Sequence, residues 1–140
     1  MVHSFTPIGA ILVEKTVFWN ISMDRERHTV RLTRTSAPYV ELSDIAASFG
    51  RIDRALLDID RKQHRLLLDL REGPRRNDTE FETQMERYRK TLIVSFRRTA
   101  LVVKTASGLL QVKRHIQEDG AIHAAVFMSE AQALQHLDRG

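Results

Sequence analysis

The residues of this chain best suited to chemistry stand between Arg71 and Glu82. The apolar residues 66–70 directly before them predict a buried strand, and a helical pattern begins at Asp78 and Thr79. Unpaired backbone N–H groups at the start of a helix bind phosphates and carboxylates. The sequence therefore predicts an anion-responsive junction between this strand and this helix.

A simpler role for hydroxyl residues at such junctions is helix capping. Thr79 and Glu82 have the spacing of a capping box, in which the hydroxyl accepts a hydrogen bond from a first-turn N–H and the carboxylate reaches back. Ser107 and Gly108 stand between a later strand and helix, where they could hold an anion or form a tight turn capped by Ser107. Both interpretations stay open at both junctions.

Basic residues gather in the predicted second helix and in the loop before it. Guanidinium groups suit carboxylates and phosphates, so Arg71, Arg75 and Arg76 would serve an acidic protein, an anionic lipid headgroup or RNA. Acidic residues are interspersed, and Glu86 with Lys90 predicts an i, i+4 ion pair on a solvated helix face. Aromatic residues do not interleave with these arginines as base stacking requires. Nucleic acid is therefore not the predicted partner.

The sequence contains none of the common catalytic or metal-binding motifs. It has no cysteine, which excludes thiolate chemistry, disulfides and Cys-based metal sites. The six histidines never pair at i, i+4, and none has a carboxylate at metal-ligand spacing. Glycine-rich phosphate loops and the G-x-S-x-G elbow are missing too. We predict a protein that is not an enzyme and that holds neither a metal nor a cofactor.

The composition is typical of a single cytoplasmic domain. A chain of 140 residues with 42% hydrophobic and 29% charged residues can bury a substantial core. The net charge of +4 is modest, because 22 basic residues face 18 acidic ones. Residues 8–13 are apolar but too few to span a bilayer, which takes about 20 residues.

We divide the chain into an apolar N-terminal arm, residues 1–13, and one domain, residues 14–140. The apolar part of the arm could be a first edge strand of the sheet. It could also add to a sheet edge of a second copy, which would produce a homo-oligomer.

Strands and helices alternate along the domain and would position the junction at Thr79. Alternating apolar and polar residues predict strands at 14–22 and 27–35, joined as a hairpin. Apolar runs predict further strands at 66–70, 100–103 and 124–127, and helices begin near residues 43, 79, 107 and 129. This β-β-α-β-α-β-α-β-α order predicts an α/β fold with a single mixed, mostly parallel sheet and about four helices.

Helical spacing identifies the side chains that face the core. The four apolar stripes are Ile45, Phe49, Ile52, Leu56 and Ile59; Phe81, Met85, Tyr88 and Leu92; Leu109, Val112 and Ile116; and Leu134 and Leu137. Trp19, Tyr39 and Tyr88 are predicted to pack in the core rather than to contact a ligand. Should the sheet cover only part of the first stripe, the remainder would line an apolar pocket.

This order of elements resembles the STAS domain, and most closely its SpoIIAA-like or STAS/SEC14-like branch. The likeness is carried by residues 67–71 in the central strand, 77–79 at the junction, 101–103 in the next strand and 126–134 near the end. In anti-sigma-factor antagonists of this family, a partner kinase phosphorylates the serine of an Asp-Ser pair at the start of the helix after the central strand. The resemblance implies that Asp78 and Thr79 take that place, with threonine instead of serine.

The resemblance also implies a non-catalytic bacterial regulatory module that acts by docking to a protein partner. The partner would be a kinase or an anti-sigma-like regulator, and phosphorylation of Thr79 would switch the contact. The predicted docking surface comprises Arg71, Arg75, Arg76, Asp78, Thr79, Glu82, Ser107 and Gly108. Two alternatives are a small apolar-ligand or lipid carrier of the SEC14-like kind and a self-assembling scaffold.

Overall fold

The computed structural model describes residues 10–74 and 78–139, in which strands and helices alternate after an initial run of strands. The strands are β1 (Ala10–Lys15), β2 (Trp19–Asp24), β3 (Thr29–Arg34), β4 (Arg65–Asp69), β5 (Arg98–Val102) and β6 (Ala124–Phe127). The helices are α1 (Leu42–Ala55), α2 (Thr79–Ser95), α3 (Ala106–Asp119) and α4 (Glu130–Asp138), and a short 3-10 turn (Arg61–Gln63) precedes β4.

All six strands form one mixed sheet in which the spatial order equals the chain order. The pairs β1–β2 and β2–β3 are antiparallel, whereas β3, β4, β5 and β6 run parallel. Each parallel connection returns through one helix, as a crossover between parallel strands requires. The predicted fold class is therefore confirmed. The structure has one more antiparallel strand before the first helix than the two that the sequence pattern predicts.

The central strand β4 is buried on both faces, as its continuous apolar run predicts. Leu66 and Leu68 belong to the main core, to which α1, α2 and α3 contribute their apolar stripes. Leu67 points to the other face and packs against Ala133 and Leu137 of α4. Three helices thus cover one face of the sheet, and α4 lies on the other.

The predicted strand at 14–22 is wrong, because the chain turns within it. β1 ends at Lys15, and Thr16 closes a tight turn to Trp19. The Thr16 hydroxyl donates to the Trp19 carbonyl and accepts from the Trp19 N–H, both at 3.0 Å. Threonine, valine and phenylalanine are also common in strands, so the alternating pattern conceals the turn.

Part of the predicted apolar arm is an edge strand. Ile11, Leu12 and Val13 lie in β1, which pairs with β2 through a bulge between Leu12 and Glu14. Their side chains are largely exposed. Residues 8 and 9 of the predicted arm lie outside the described residues.

Helix α2 begins one residue earlier than the predicted capping box requires. Its N-cap is Asp78 and Thr79 is the first helical residue, so the Thr79–Glu82 capping box is wrong. Aspartate and threonine are both good N-caps, so from the sequence alone the helix could begin after either residue.

A similar shift occurs at α3, where the cap is Thr105 rather than Ser107. The Thr105 hydroxyl accepts a hydrogen bond from the Gly108 N–H at 3.0 Å. The cap of α4 is Ser129, whose hydroxyl accepts a hydrogen bond from the Gln132 N–H at 3.3 Å.

All residues of the four predicted core stripes are buried or half-buried, but α1 ends at Ala55, so Leu56 and Ile59 follow the helix. The buried members of the stripes are Ile45, Phe49, Ile52, Leu56, Phe81, Leu92, Val112, Ile116 and Leu137. The half-buried members, packed against the two clusters, are Ile59, Met85, Tyr88, Leu109 and Leu134. Within residues 10–74 and 78–139, no helix combines the length and the hydrophobicity that crossing a membrane demands.

Candidate functional site

A cavity of about 750 Å³ lies at the carboxyl ends of β3, β4 and β5. Open α/β sheets commonly bind ligands at this edge, because the strands end there and the loops to the following helices diverge. The volume is within the roughly 300–1,000 Å³ that is typical of small-molecule sites.

The inner wall of the cavity is apolar and is built from several elements. Trp19 of β2, Phe49 of α1, Leu68 of β4, Met85 of α2 and Val103 after β5 all line it. The Trp19 and Phe49 rings meet edge to face at 5.9 Å between centroids, which fixes the wall between β2 and α1.

One cation is buried in this wall. Arg34, the last residue of β3, lines the cavity and is 6% exposed. Its Nη1 donates to the carbonyl oxygens of Phe18 at 3.1 Å and Thr35 at 3.0 Å. Its guanidinium lies 4.4 Å from the centre of the Tyr39 ring and 5.9 Å from that of Trp19. Burial lowers the pKa of Arg34, and the nearby Tyr39 phenol only partly opposes this shift.

A chain of hydrogen bonds holds the aromatic part of the wall in place. Trp19 Nε1 donates to the Tyr39 hydroxyl at 3.0 Å. The Tyr39 and Ser48 hydroxyl oxygens are 2.9 Å apart, and Ser48 donates to the Ile45 carbonyl at 3.0 Å. Because Ser48 uses its proton on Ile45, Tyr39 is the donor to Ser48. These hydrogen bonds connect β2 to α1, and the polar groups of Trp19, Tyr39 and Ser48 are paired with one another.

The loop after β4 approaches the stem of Arg34 closely, and a side chain at Gly73 would be tight there. A Cβ atom on Gly73 would lie 3.0 Å from Cγ of Arg34 and 3.4 Å from the Leu70 carbonyl oxygen. The loop can thus lie against the arginine and close one side of the cavity.

Arg89 and Lys104 also line the cavity. Arg89 of α2 is half-buried. Burial lowers its pKa, and the charges of Glu82, Glu86 and Asp119 oppose this shift in part. Lys104, which follows β5, is exposed.

Arg71 also lines the cavity, but its charge is already matched. Its Nη2 lies 2.8 Å from Asp69 and 2.9 Å from Glu130, and Arg31 Nη2 lies 3.1 Å and 2.7 Å from the same two carboxylates. These four residues form a closed ionic cluster that joins β3 and β4 to α4. The hydrogen bonds that Arg71 donates to Asp69 raise the pKa of Arg71, so it stays charged.

The structure brings only some of the predicted docking residues together. Arg71, Glu82 and Gly108 line the cavity. Asp78, Thr79 and Ser107 are exposed at the starts of α2 and α3 and are not among the lining residues, while Arg75 and Arg76 lie outside the described residues.

The most informative cavity residue, Arg34, was missed by sequence reasoning. The signal was present, because Arg34 continues the alternation of Val30 and Leu32 and therefore occupies an inward position of its strand. Trp19 and Tyr39 do pack in the core as predicted, and they line the cavity as well.

The predicted ion pair between Glu86 and Lys90 is wrong. Glu86 instead lies 2.7 Å from His115 Nε2 of α3, and Lys90 lies 3.8 Å from Asp119. Both contacts join α2 to α3, which the spacing within one helix cannot indicate. Across the described part of the chain, no three His, Asp or Glu side chains meet in a way that would hold a metal ion.

Comparisons with protein-family models, with curated proteins and with solved structures found no match to this chain. The cavity and its chemistry are therefore the basis of the functional assignment.

Proposed function

We propose that this chain is a non-catalytic module that binds a small ligand with an apolar body in the cavity at the carboxyl ends of β3, β4 and β5. The observation that carries this proposal is the cavity of about 750 Å³ with apolar side chains from the sheet and from α1 and α2 along its wall. Phe49, a member of the first helical stripe, also lines this cavity, which supports the proposal.

Physical reasons support a bound ligand. Partly exposed apolar side chains of the wall, such as Leu70 and Met85, gain about 25 cal/mol for each Å² of apolar surface that a ligand removes from water. The wall is held rigid by the Trp19–Tyr39–Ser48 hydrogen bonds, so little ordering entropy is lost on binding.

Filling the cavity should abolish binding of an apolar probe. We expect Met85→Trp to weaken binding of the neutral fluorophore N-phenyl-1-naphthylamine at least about tenfold, which corresponds to roughly 1.4 kcal/mol. The added ring would occupy the space of the probe. Fluorescence titration of the purified chain measures the affinity.

Thr83→Trp is the matched control, because Thr83 is on the same helix but is exposed and does not line the cavity. It should bind the probe as the wild type does. Equal affinities for wild type and Met85→Trp, or no probe binding by the wild type, would refute the proposal.

A second candidate is the cytoplasmic regulatory module predicted from the STAS resemblance. The observation that favours it is that Asp78 and Thr79 are exposed at the start of α2 and that Thr79 is not the N-cap. Its hydroxyl is therefore not needed to cap the helix, and a phosphate there would be close to the helix N-terminus.

For this candidate we expect Thr79→Glu to weaken partner binding far more than it destabilises the fold. An acidic residue in the first turn is favourable to a helix, so the free energy of unfolding should change by less than about 0.5 kcal/mol. Binding is measured by calorimetry against the partner that the wild-type chain retains from its native cells. Thr83→Glu, one turn further on, is the control, and equal affinity of Thr79→Glu and wild type would end the switch hypothesis.

A further inference from the structure

We propose that the ligand of the cavity carries an anionic group, a carboxylate or a phosphate, that pairs with Arg34. This inference rests on the proposed function and adds the chemical class of the ligand: an amphiphile with one acidic end and an apolar body.

The charge of Arg34 has no counter-ion in the part of the chain that the structure describes. Its Nη1 contacts are to neutral oxygens, the carbonyls of Phe18 and Thr35 and the Thr35 hydroxyl at 3.4 Å. Within residues 10–74 and 78–139, no group accepts a hydrogen bond from its Nε or Nη2, and no carboxylate forms an ion pair with it. A guanidinium with an unused edge is therefore placed in the cavity wall.

Burial of such a charge is costly unless something compensates it. The rings of Tyr39, Phe18 and Trp19 surround the guanidinium at 4.4, 5.5 and 5.9 Å and offset part of the cost. They supply no hydrogen-bond acceptor, and the hydrogen bonds of Arg34 all use Nη1, which leaves the edge formed by Nε and Nη2. That edge presents two parallel N–H donors, which match the two oxygens of a carboxylate or phosphate.

The other charges along the cavity do not replace this counter-ion. Arg71 is neutralised by Asp69 and Glu130, and Glu82 acts on Arg89. Glu72 is exposed at the edge of the cavity. Among the cations that line the cavity, Arg34 is the most deeply buried, and its charge is the least compensated by carboxylates. An anion that enters the cavity therefore pairs best with Arg34.

The apolar wall gives the anion an orientation. Trp19, the first residue of β2, pairs with Arg34, the last residue of β3, and Leu68 lies on the neighbouring strand β4. A ligand with its acidic end on Arg34 can extend its hydrocarbon part along Leu68, Met85 and Val103.

The test compares three probes of equal chain length, decanoate, decyl phosphate and decanol, by calorimetry at neutral pH. For the wild type we expect at least one anion to bind about tenfold or more tightly than the neutral alcohol. Whether decanoate or decyl phosphate binds more tightly identifies the acidic group. In Arg34→Gln the preference should disappear, while the affinity for decanol stays within about twofold of the wild type.

Two variants separate Arg34 from general electrostatics. Arg34→Lys keeps the charge and should retain a weakened preference for the anion. Lys104→Gln removes an exposed cation of the same cavity and should retain the full preference.

The outcomes distinguish this inference from the proposed function. Equal affinity of wild type for the anions and for decanol overturns the anion inference and leaves the apolar site in place. A preference that persists in Arg34→Gln also overturns it. Absence of binding by all three probes overturns both, and the comparison in wild type stands even if Arg34→Gln does not fold.

Discussion

Replacing Asp69 with asparagine should lower the free energy of unfolding by about 3 kcal/mol, the lower end of the range for breaking a buried ion pair. Asp69 is 4% exposed and accepts hydrogen bonds from both Arg31 and Arg71. The amide would leave two guanidinium groups with Glu130 alone. Urea denaturation at neutral pH, followed by circular dichroism, measures the change.

The control is Asp53→Asn, which removes an ion pair of similar length at the surface. Asp53 lies 2.9 Å from Arg61, but its side chain is 67% exposed. Exposed pairs contribute about 0–1 kcal/mol, so this variant should be close to the wild type. If both variants lose the same stability, the ionic cluster has no special role.

The pH dependence of the Asp69→Asn effect provides a second readout of the same variant. Burial by itself raises the pKa of Asp69, but hydrogen bonds from Arg71 and the charges of Arg71 and Arg31 outweigh it, so the pKa lies below its usual value. Such a carboxylate stabilises the fold above its unfolded pKa, and the contribution is lost as pH falls through the folded pKa. The difference between wild type and variant should therefore shrink below about pH 4. A difference that stays constant down to about pH 2 would contradict this explanation.

Removing the Tyr39 hydroxyl should cost about 1–3 kcal/mol, because the change leaves a buried donor unsatisfied. In Tyr39→Phe the indole N–H of Trp19 loses its acceptor and Ser48 loses its donor. The ring beside Arg34 remains, so the loss reports on the hydrogen bonds rather than on the aromatic contact. Thermal and urea unfolding measure it.

Tyr88→Phe makes the same chemical change at a half-buried ring that stacks on Phe49 at 5.2 Å. It should alter stability by less than about 0.5 kcal/mol. In a double-mutant cycle, Tyr39→Phe and Ser48→Ala should be non-additive, since the two hydroxyls are 2.9 Å apart. Additive losses would show that the two groups do not act as one network.

The features that sequence reasoning found depend on short-range periodicity. The alternation of Val30 and Leu32 fixed β3, and steps of three and four along Ile45, Phe49 and Ile52 fixed α1. These patterns reflect the geometry of a strand and of a helix, and a short stretch of sequence is enough to show either of them. The fold class was then predicted from the order of the strands and helices along the chain.

The features it missed depend on residues far apart in the chain. Glu130 contacts Arg31 across 99 positions, and Arg61 sits over the Phe96 ring. No spacing rule within one helix or strand predicts such contacts. The wrong helix caps predicted at Thr79 and Ser107 have a different origin. A nearby residue, Asp78 or Thr105, is an equally good cap by residue type, and the backbone conformation determines which residue takes the N-cap position.

The placement of α4 on its own side of the sheet has a consequence for synthesis of the protein. The helices α1, α2 and α3 share one core and all precede α4 in the chain, so their face of the sheet can assemble before α4 is synthesised. Leu67 and Val102 on the opposite face must wait for Ala133 and Leu137. Until α4 is made, these apolar side chains are exposed to solvent or to a chaperone, and the pairing of Glu130 with Arg31 and Arg71 then holds α4 against the sheet.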